Sequence, residues 1–219
     1  GIRTRAEIGL PNPEAVKKGL PNLTKHVENI QQFGEPPIVA INRFGQDTEE
    51  EIAVVAAHCE KLGVPFAVSD HFARGGEGAL DLARAVVKQG AGGPRPLRPL
   101  YCDEDTVEEK VSKVAEKMYG ARSVVFTKNA KKDLEDIQRL GYAHLPVCIA
   151  KTQKSLSDNP QLRGRPTDFQ ITVRAIRINA GAGFLVVLTG DLVRMPGLPS
   201  KPQAWRVDLL PEGDVEGLM

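Results

Sequence analysis

Two short apolar runs, each followed by an amphipathic helical pattern, constrain the fold of this chain more than any other feature. Pro37-Ile38-Val39-Ala40-Ile41-Asn42 is apolar up to its last residue, and Val64-Pro65-Phe66-Ala67-Val68-Ser69 repeats the pattern. Runs of this length without polar alternation read as buried strands of a parallel sheet. Pro65 is tolerable because it stands near the strand start. Between the runs, Thr48 and Glu51 have the spacing of a capping box. Ile52, Val55, Ala56, Cys59 and Leu62 then make one helical stripe, which Gly63 ends. After Ser69 a loop over 71–78 leads into a helix expected to turn Leu80, Ala83 and Val87 inward. Strand, helix, strand, loop, helix is the order of a parallel sheet with crossover helices.

The flanking segments extend this grammar. Asn12-Pro13 reads as a helix cap followed by a first-turn proline. Pro21 is expected to interrupt that helix, and a second stretch carries Leu23, Val27 and Ile30 on one face until Gly34 closes it. Residues 1–8 show no pattern. Residues 90–98 (GAGGPRPLR) form a Gly/Pro hinge, which divides the chain into an α/β part over 1–90 and a smaller part over 99–219. In the second part Thr106 and Glu109 make another capping box, with Val107, Val111, Val114 and Met118 following and Gly120 as stop. A strand is expected over 123–127, a helix through Ala130, Leu134, Ile137 and Leu140 to Gly141, and a strand over 145–151.

After Lys151 the pattern changes. Residues 152–168 are polar and rich in turn formers, a loop long enough to suggest a functional role. Two β-rich runs follow, over 169–178 and 184–189. In the first, alternation slips by one residue, and a bulge near Ala175-Ile176 would restore a single apolar face. Met195-Pro196-Gly197-Leu198-Pro199 reads as a rigid turn, and a short run over 205–209 lies near the end. The fold class is α/β, becoming β-rich toward the C-terminus.

Composition excludes more than it identifies. A net charge of +1 gives no electrostatic case for nucleic acid or an anionic membrane. No apolar run approaches the ~20 residues of a membrane span. The three cysteines fall in no metal-ligand spacing, and Cys59 and Cys148, in apolar runs, read as small core residues of a reducing, cytoplasmic protein. Gly-Lys never occurs, so the sequence holds no phosphate-loop motif, and neither zinc-protease nor serine-hydrolase signatures are found. No metal site is expected.

Three constellations remain. Asn42-Arg43-Phe44 lies just past the carboxyl end of a strand, where open α/β sheets bind ligands. Phe44 either stands on the rim of a crevice or packs under its own loop. The segment 69–78 occupies the same position after the next strand, with Phe72 among polar residues ahead of Gly75-Gly76-Glu77-Gly78. It is either an ordinary strand-to-helix turn or a loop whose glycines let a ligand approach the backbone. Two aromatics on two such loops could hold a flat heterocycle between them, each stack contributing about 0.5–1.5 kcal/mol. Third, Lys151 and Arg163-Gly164-Arg165-Pro166 are either anion contacts or solvated loop ends.

Taken in order, many of these segments resemble the formate–tetrahydrofolate ligases, also called 10-formyltetrahydrofolate synthetases. The resemblance rests on Gly19-Leu20-Pro21-Asn22-Leu23, His26-Val27-Glu28-Asn29-Ile30, Val39-Ala40-Ile41-Asn42-Arg43-Phe44, and His71-Phe72-Ala73-Arg74-Gly75-Gly76-Glu77-Gly78-Ala79. It continues through Leu145-Pro146-Val147-Cys148-Ile149-Ala150-Lys151-Thr152-Gln153, Ser155-Leu156-Ser157-Asp158, Gly164-Arg165-Pro166, Gly181-Ala182-Gly183-Phe184 and Met195-Pro196-Gly197-Leu198-Pro199 to the C-terminal Gly217-Leu218-Met219.

The resemblance implies the C-terminal portion of an ATP-dependent ligase, with P-loop-NTPase/Rossmann-like sheet layers followed by a smaller β-rich region. Such a ligase joins formate to tetrahydrofolate through formyl phosphate. It implies that the pterin stacks between Phe44 and Phe72, the latter standing where the family usually carries Trp. The loop with Asp70, His71, Gly75 and Gly76 would face the nucleotide. The phosphate loop, the groups that hold ATP with its Mg, and the catalytic cations would lie in an N-terminal half upstream of this chain, which alone is then inactive. A homo-oligomer is implied for the full-length enzyme. The alternative is a stand-alone, non-catalytic folate-binding module or vestigial paralogue.

Overall fold

The computed structural model describes residues 10–93, 95–190 and 200–217. The expected turn over 195–199 and the patternless residues 1–8 lie outside them. Helix α1 (Pro13–Gln32) starts as its sequence dictates: the Asn12 side chain accepts from the Ala15 N–H, and Pro13 occupies the first turn. Pro21 does not interrupt it. One continuous helix passes through the proline, contrary to the expectation from sequence. The reason is tertiary: α1 is held against the next helix and against the second half of the chain, where its Lys25 and Asn29 are buried. Packing thus outweighs the hydrogen bond that a proline removes.

Strand β1 (Val39–Asn42), helix α2 (Glu49–Leu62) and strand β2 (Phe66–Ser69) follow. The Thr48/Glu51 capping box is present, and Gly63 caps α2 with φ +66°. β1 and β2 pair in parallel, Val39 opposite Phe66 and Asn42 opposite Ser69. Val27, Val39, Cys59 and Val64 form a small core between α1, α2 and this sheet. A short helix α3 (His71–Arg74) and a 3-10 turn (Gly75–Ala79) fill the expected loop, and α4 (Leu80–Gly90) comes next. α4 is rotated from the expected orientation. Leu80 and Val87 are exposed, with Ala83 and Val86 beside them, while Leu82 and Ala85 are half-buried on the side that packs along β2.

The second part contains α5 (Val107–Val114), which runs into a π turn (Ala115–Tyr119), then β3 (Ser123–Phe126), α6 (Lys128–Arg139), β4 (Val147–Ala150), β5 (Gln170–Asn179) and β6 (Phe184–Thr189). The sheet order is β3-β5-β6-β4, with β3–β5 and β4–β6 parallel and β5–β6 antiparallel. Val107 and Val111 of α5 and Ala130 and Ile137 of α6 pack on Val173, Ile176, Leu185 and Val187 of the central strands. The bulge predicted in β5 is found between Val173 and Ala175, adjacent to the expected place, and it leaves Ile171, Val173 and Ile176 all buried. The Asp133 carboxylate of α6 accepts the Ile176 N–H at 2.8 Å just beyond the irregularity. Cys148, expected inside, is exposed because it alternates with Val147 and Ile149, which turn to the helix-covered core, and so takes the opposite face of β4. A two-stranded ribbon, β7 (Asp208–Leu209) with β8 (Val215–Glu216), completes the described chain.

Buried polar side chains tie elements together through backbone carbonyls. Lys110, fully buried, donates to the carbonyls of Ala143, His144 and Leu145 at 3.0–3.4 Å. From α1, Lys25 Nζ donates to Lys117 O at 2.6 Å and Asn29 Nδ2 to Met118 O at 2.8 Å. These carbonyls end a helical segment and lack partners within it. One turn along α1, Glu28 accepts both Arg165 guanidinium nitrogens, at 2.9 and 2.7 Å.

Candidate functional site

The parallel pairing of β1 with β2 brings their carboxyl ends side by side. The Arg43 N–H donates to Ser69 O at 2.9 Å, so the pairing continues one residue past Asn42. Phe44 then leaves the sheet in a turn fixed reciprocally by Asp47: the Phe44 N–H donates to Asp47 Oδ2 at 2.8 Å, and the Asp47 N–H to Phe44 O at 3.0 Å. The Phe44 side chain is 64% exposed. The reading in which it packs under its own loop is therefore not the observed one.

After β2, buried Ser69 sets its hydroxyl 3.0 Å from His71 Nδ1. The loop that follows is a closed ring of backbone. The Asp70 N–H donates to Gly78 O at 2.9 Å and the Arg74 N–H to Asp70 O at 3.0 Å. Gly75 adopts φ +56°, ψ −142°, a region suited to glycine. Gly78 lies so close to the Asp70 peptide that a Cβ there would sit 2.2 Å from Asp70 O. The ring carries Phe72 at its outer side, 91% exposed. His71, Gly75 and Gly76 are exposed beside it, and Asp70 is half-buried.

The six residues that the resemblance assigns to the pterin and the nucleotide thus all lie on the two loops that follow adjacent strand ends. Both rings stay largely uncovered by the described residues, and an aromatic face open to solvent is suited to stacking on a flat ring. Sequence reasoning missed the residues that position them. Asp47 fixes Phe44, Ser69 holds His71, and Gly78 allows the ring to close. Gly78 had a visible signal in the Gly-Gly-Glu-Gly run, while Asp47 and Ser69 looked like ordinary loop and strand-end residues.

The third constellation is elsewhere, and its Lys151 and Arg165 are otherwise engaged. Lys151 Nζ donates to the carbonyls of Thr152 and Ser155 and lies 5.2 Å from the centre of the Tyr119 ring. Burial pushes the Lys151 ammonium below the usual lysine range and the Tyr119 hydroxyl above the usual tyrosine range. Arg165 is held by Glu28. The segment after Lys151 is not a solvated loop throughout, because Ser155, Leu156 and Ser157 are buried and Asp158 accepts the Thr172 N–H at 2.8 Å.

The chain matches the model of the family described as formate–tetrahydrofolate ligase over residues 1–219. It belongs to that family. It is 50% identical over 213 residues to a formate–tetrahydrofolate ligase of Parabacteroides distasonis and 48% identical over 213 residues to one of Phocaeicola vulgatus. Each alignment covers 97% of this chain and 38% of the relative, so the chain spans well under half the length of the curated ligases it matches. Among the described residues, no group of three or more His, Cys, Asp or Glu side chains could hold a metal ion. No helix among them is long and apolar enough to cross a membrane.

Proposed function

We propose that this chain supplies the pterin-stacking face of a cytoplasmic ATP-dependent ligase that forms 10-formyltetrahydrofolate from formate and tetrahydrofolate through formyl phosphate. The observation that carries the proposal is the exposure of Phe44 and Phe72 on the loops after two paired strands, within a member of the formate–tetrahydrofolate ligase family. The pterin enters between the two rings. Asp70, His71, Gly75 and Gly76 form the edge facing the nucleotide. Phosphoryl transfer demands cations around the γ-phosphate and an aligned nucleophile. That machinery, with ATP and its magnesium, belongs in this reading to the N-terminal portion of the longer family members, and this chain is inactive without it. The same portion would complete the P-loop-NTPase/Rossmann-like layers begun by β1 and β2. The division of the chain into residues 1–90 and 99–219, and a homo-oligomeric full-length enzyme, belong to the same proposal.

Calorimetric titration of the chain with tetrahydrofolate tests it. Saturable binding is expected. Removing either ring, in Phe44→Ala or Phe72→Ala, should weaken it by about 2- to 12-fold, the equivalent of one aromatic stack. Binding left unchanged in both variants refutes the stacking site.

A further inference from the structure

Near the C-terminus, every described residue from 200 to 216 is exposed, yet the segment is not shapeless. β7 and β8 pair antiparallel, with Leu209 opposite Val215 and Asp208 opposite Glu216. The ribbon is tied by its own bonds: Leu210 N–H to Asp214 O at 2.8 Å, Gly213 N–H to Leu210 O at 2.9 Å, and Gln203 Nε2 to Gly217 O at 2.5 Å. Gly217 packs so tightly on Arg206 that a Cβ would meet Arg206 O at 1.8 Å. Because side chains alternate along a strand, the ribbon has two unlike faces. Val207, Leu209 and Val215 make one apolar face, and the carboxylates of Asp208 and Glu216 stand opposite each other on the other. Trp205, the only tryptophan in the chain, ends a 3-10 turn just before β7 and is 75% exposed, Leu209 67% and Val215 48%.

Neither face is covered among the described residues. A two-stranded hairpin alone in water is marginal, and carboxylates directly across a strand pair repel. Both features become favourable against a surface that is apolar at its centre and cationic at its rim. The family match runs through this ribbon, and the matched ligases are far longer than this chain. We infer that the ribbon is a docking arm. Its Leu209/Val215 face seats on the part of the full-length ligase that this chain does not span, with Asp208 and Glu216 meeting Lys or Arg side chains there. The inference goes beyond the pterin-stacking reading and does not depend on it.

The test is hydrogen exchange of the ribbon amides. It compares the 219-residue chain with a full-length chimaera in which this chain replaces the matching 38% of the Parabacteroides distasonis ligase. Exchange over 208–216 is expected to slow at least tenfold in the chimaera, and Leu209→Asp should abolish that protection. In the isolated chain, Leu209→Asp leaves the thermal midpoint unchanged, which separates loss of docking from loss of folding. The unmodified Parabacteroides distasonis ligase, measured over its matching segment, gives the same answer if the chimaera does not fold. Equal exchange rates in the long and short proteins overturn the inference. So does a concentration-dependent loss of acrylamide quenching of Trp205 in the isolated chain, because the cover would then be a second copy.

Discussion

Three glycines in the loop that carries Phe72 should respond to the same substitution in three different ways. A Cβ on Gly78 would lie 2.2 Å from Asp70 O, 2.4 Å from Asp70 C and 2.9 Å from His71 N. These are backbone atoms that cannot swing away, so the Asp70 peptide must retreat by about 1 Å to restore ordinary contact. The retreat disrupts the 2.9 Å bond from the Asp70 N–H to Gly78 O. Overpacking and one lost hydrogen bond together cost about 2–4 kcal/mol. Gly76 has nothing within 4 Å of a Cβ and no positive φ, so Gly76→Ala should fall within about 0.5 kcal/mol of the parent. Gly75→Ala should lie between them, at about 1–2 kcal/mol, because its cost is backbone strain alone at φ +56°. Urea unfolding at constant slope reads the three differences. Limited trypsin digestion at Arg74, which sits inside the ring, detects local opening that global unfolding would miss. If Gly78→Ala matches Gly76→Ala in both assays, the close approach is not what closes the loop.

Other consequences follow from the buried groups. Lys110→Met takes the shared donor from the Ala143, His144 and Leu145 carbonyls and should destabilise by about 2–4 kcal/mol, seen as a thermal midpoint lower by roughly 5–12 °C. Burial pushes the Lys25 ammonium below the ordinary lysine value of 10.5. Between its depressed folded value and 10.5 the unfolded chain holds more protons, so Lys25 makes stability rise with pH across that window. Lys25→Met should flatten the rise, measured by chemical unfolding at several pH values above neutrality. Phe44→Ala and Phe72→Ala remove side chains that are mostly in water, so unfolding free energies should change by less than about 0.5 kcal/mol even where ligand binding is weakened.

The local grammar of the fold was legible because it depends on neighbours in sequence. The two capping boxes, the Asn12 cap, the glycine stops at Gly63, Gly120 and Gly141 and the bulge in β5 were all written within a few residues. What depended on distant partners was not. Pro21 reads as a break until the contacts of Lys25 and Asn29 are known. The apolar stripe of α4 reads as inward, yet Leu80 and Val87 face solvent because only the opposite side meets β2. Residues 155–157 look like polar loop, but Ser155 and Ser157 bond each other at 2.9 Å, and this pairing allows them to be buried. The exposure of Phe44 and Phe72 was only one of two open readings from pattern, since both an exposed and a tucked ring fit an aromatic after a strand.

The loops bearing those rings rest on little core of their own. β1 and β2 form a sheet of two strands, where independent stability normally requires more strands or packed helices. Within it only Val39, Ala67 and Ser69 are buried. The sheet is steadied by α1 and α2, and α1 is in turn fixed to the second part of the chain by Lys25, Asn29 and Glu28, three polar side chains within two turns. Asn29 meets Met118 O through its amide nitrogen, while its Oδ1 is the buried side-chain atom without a partner among the described residues. An apolar seam would bury more area, but polar groups aimed at specific carbonyls fix register, because a shifted helix leaves them unsatisfied. The position of the aromatic loops is therefore set from α1 as much as from the strands. Loosening the contacts at Lys117 and Met118 should spread into mobility at the strand ends even though no residue there is changed.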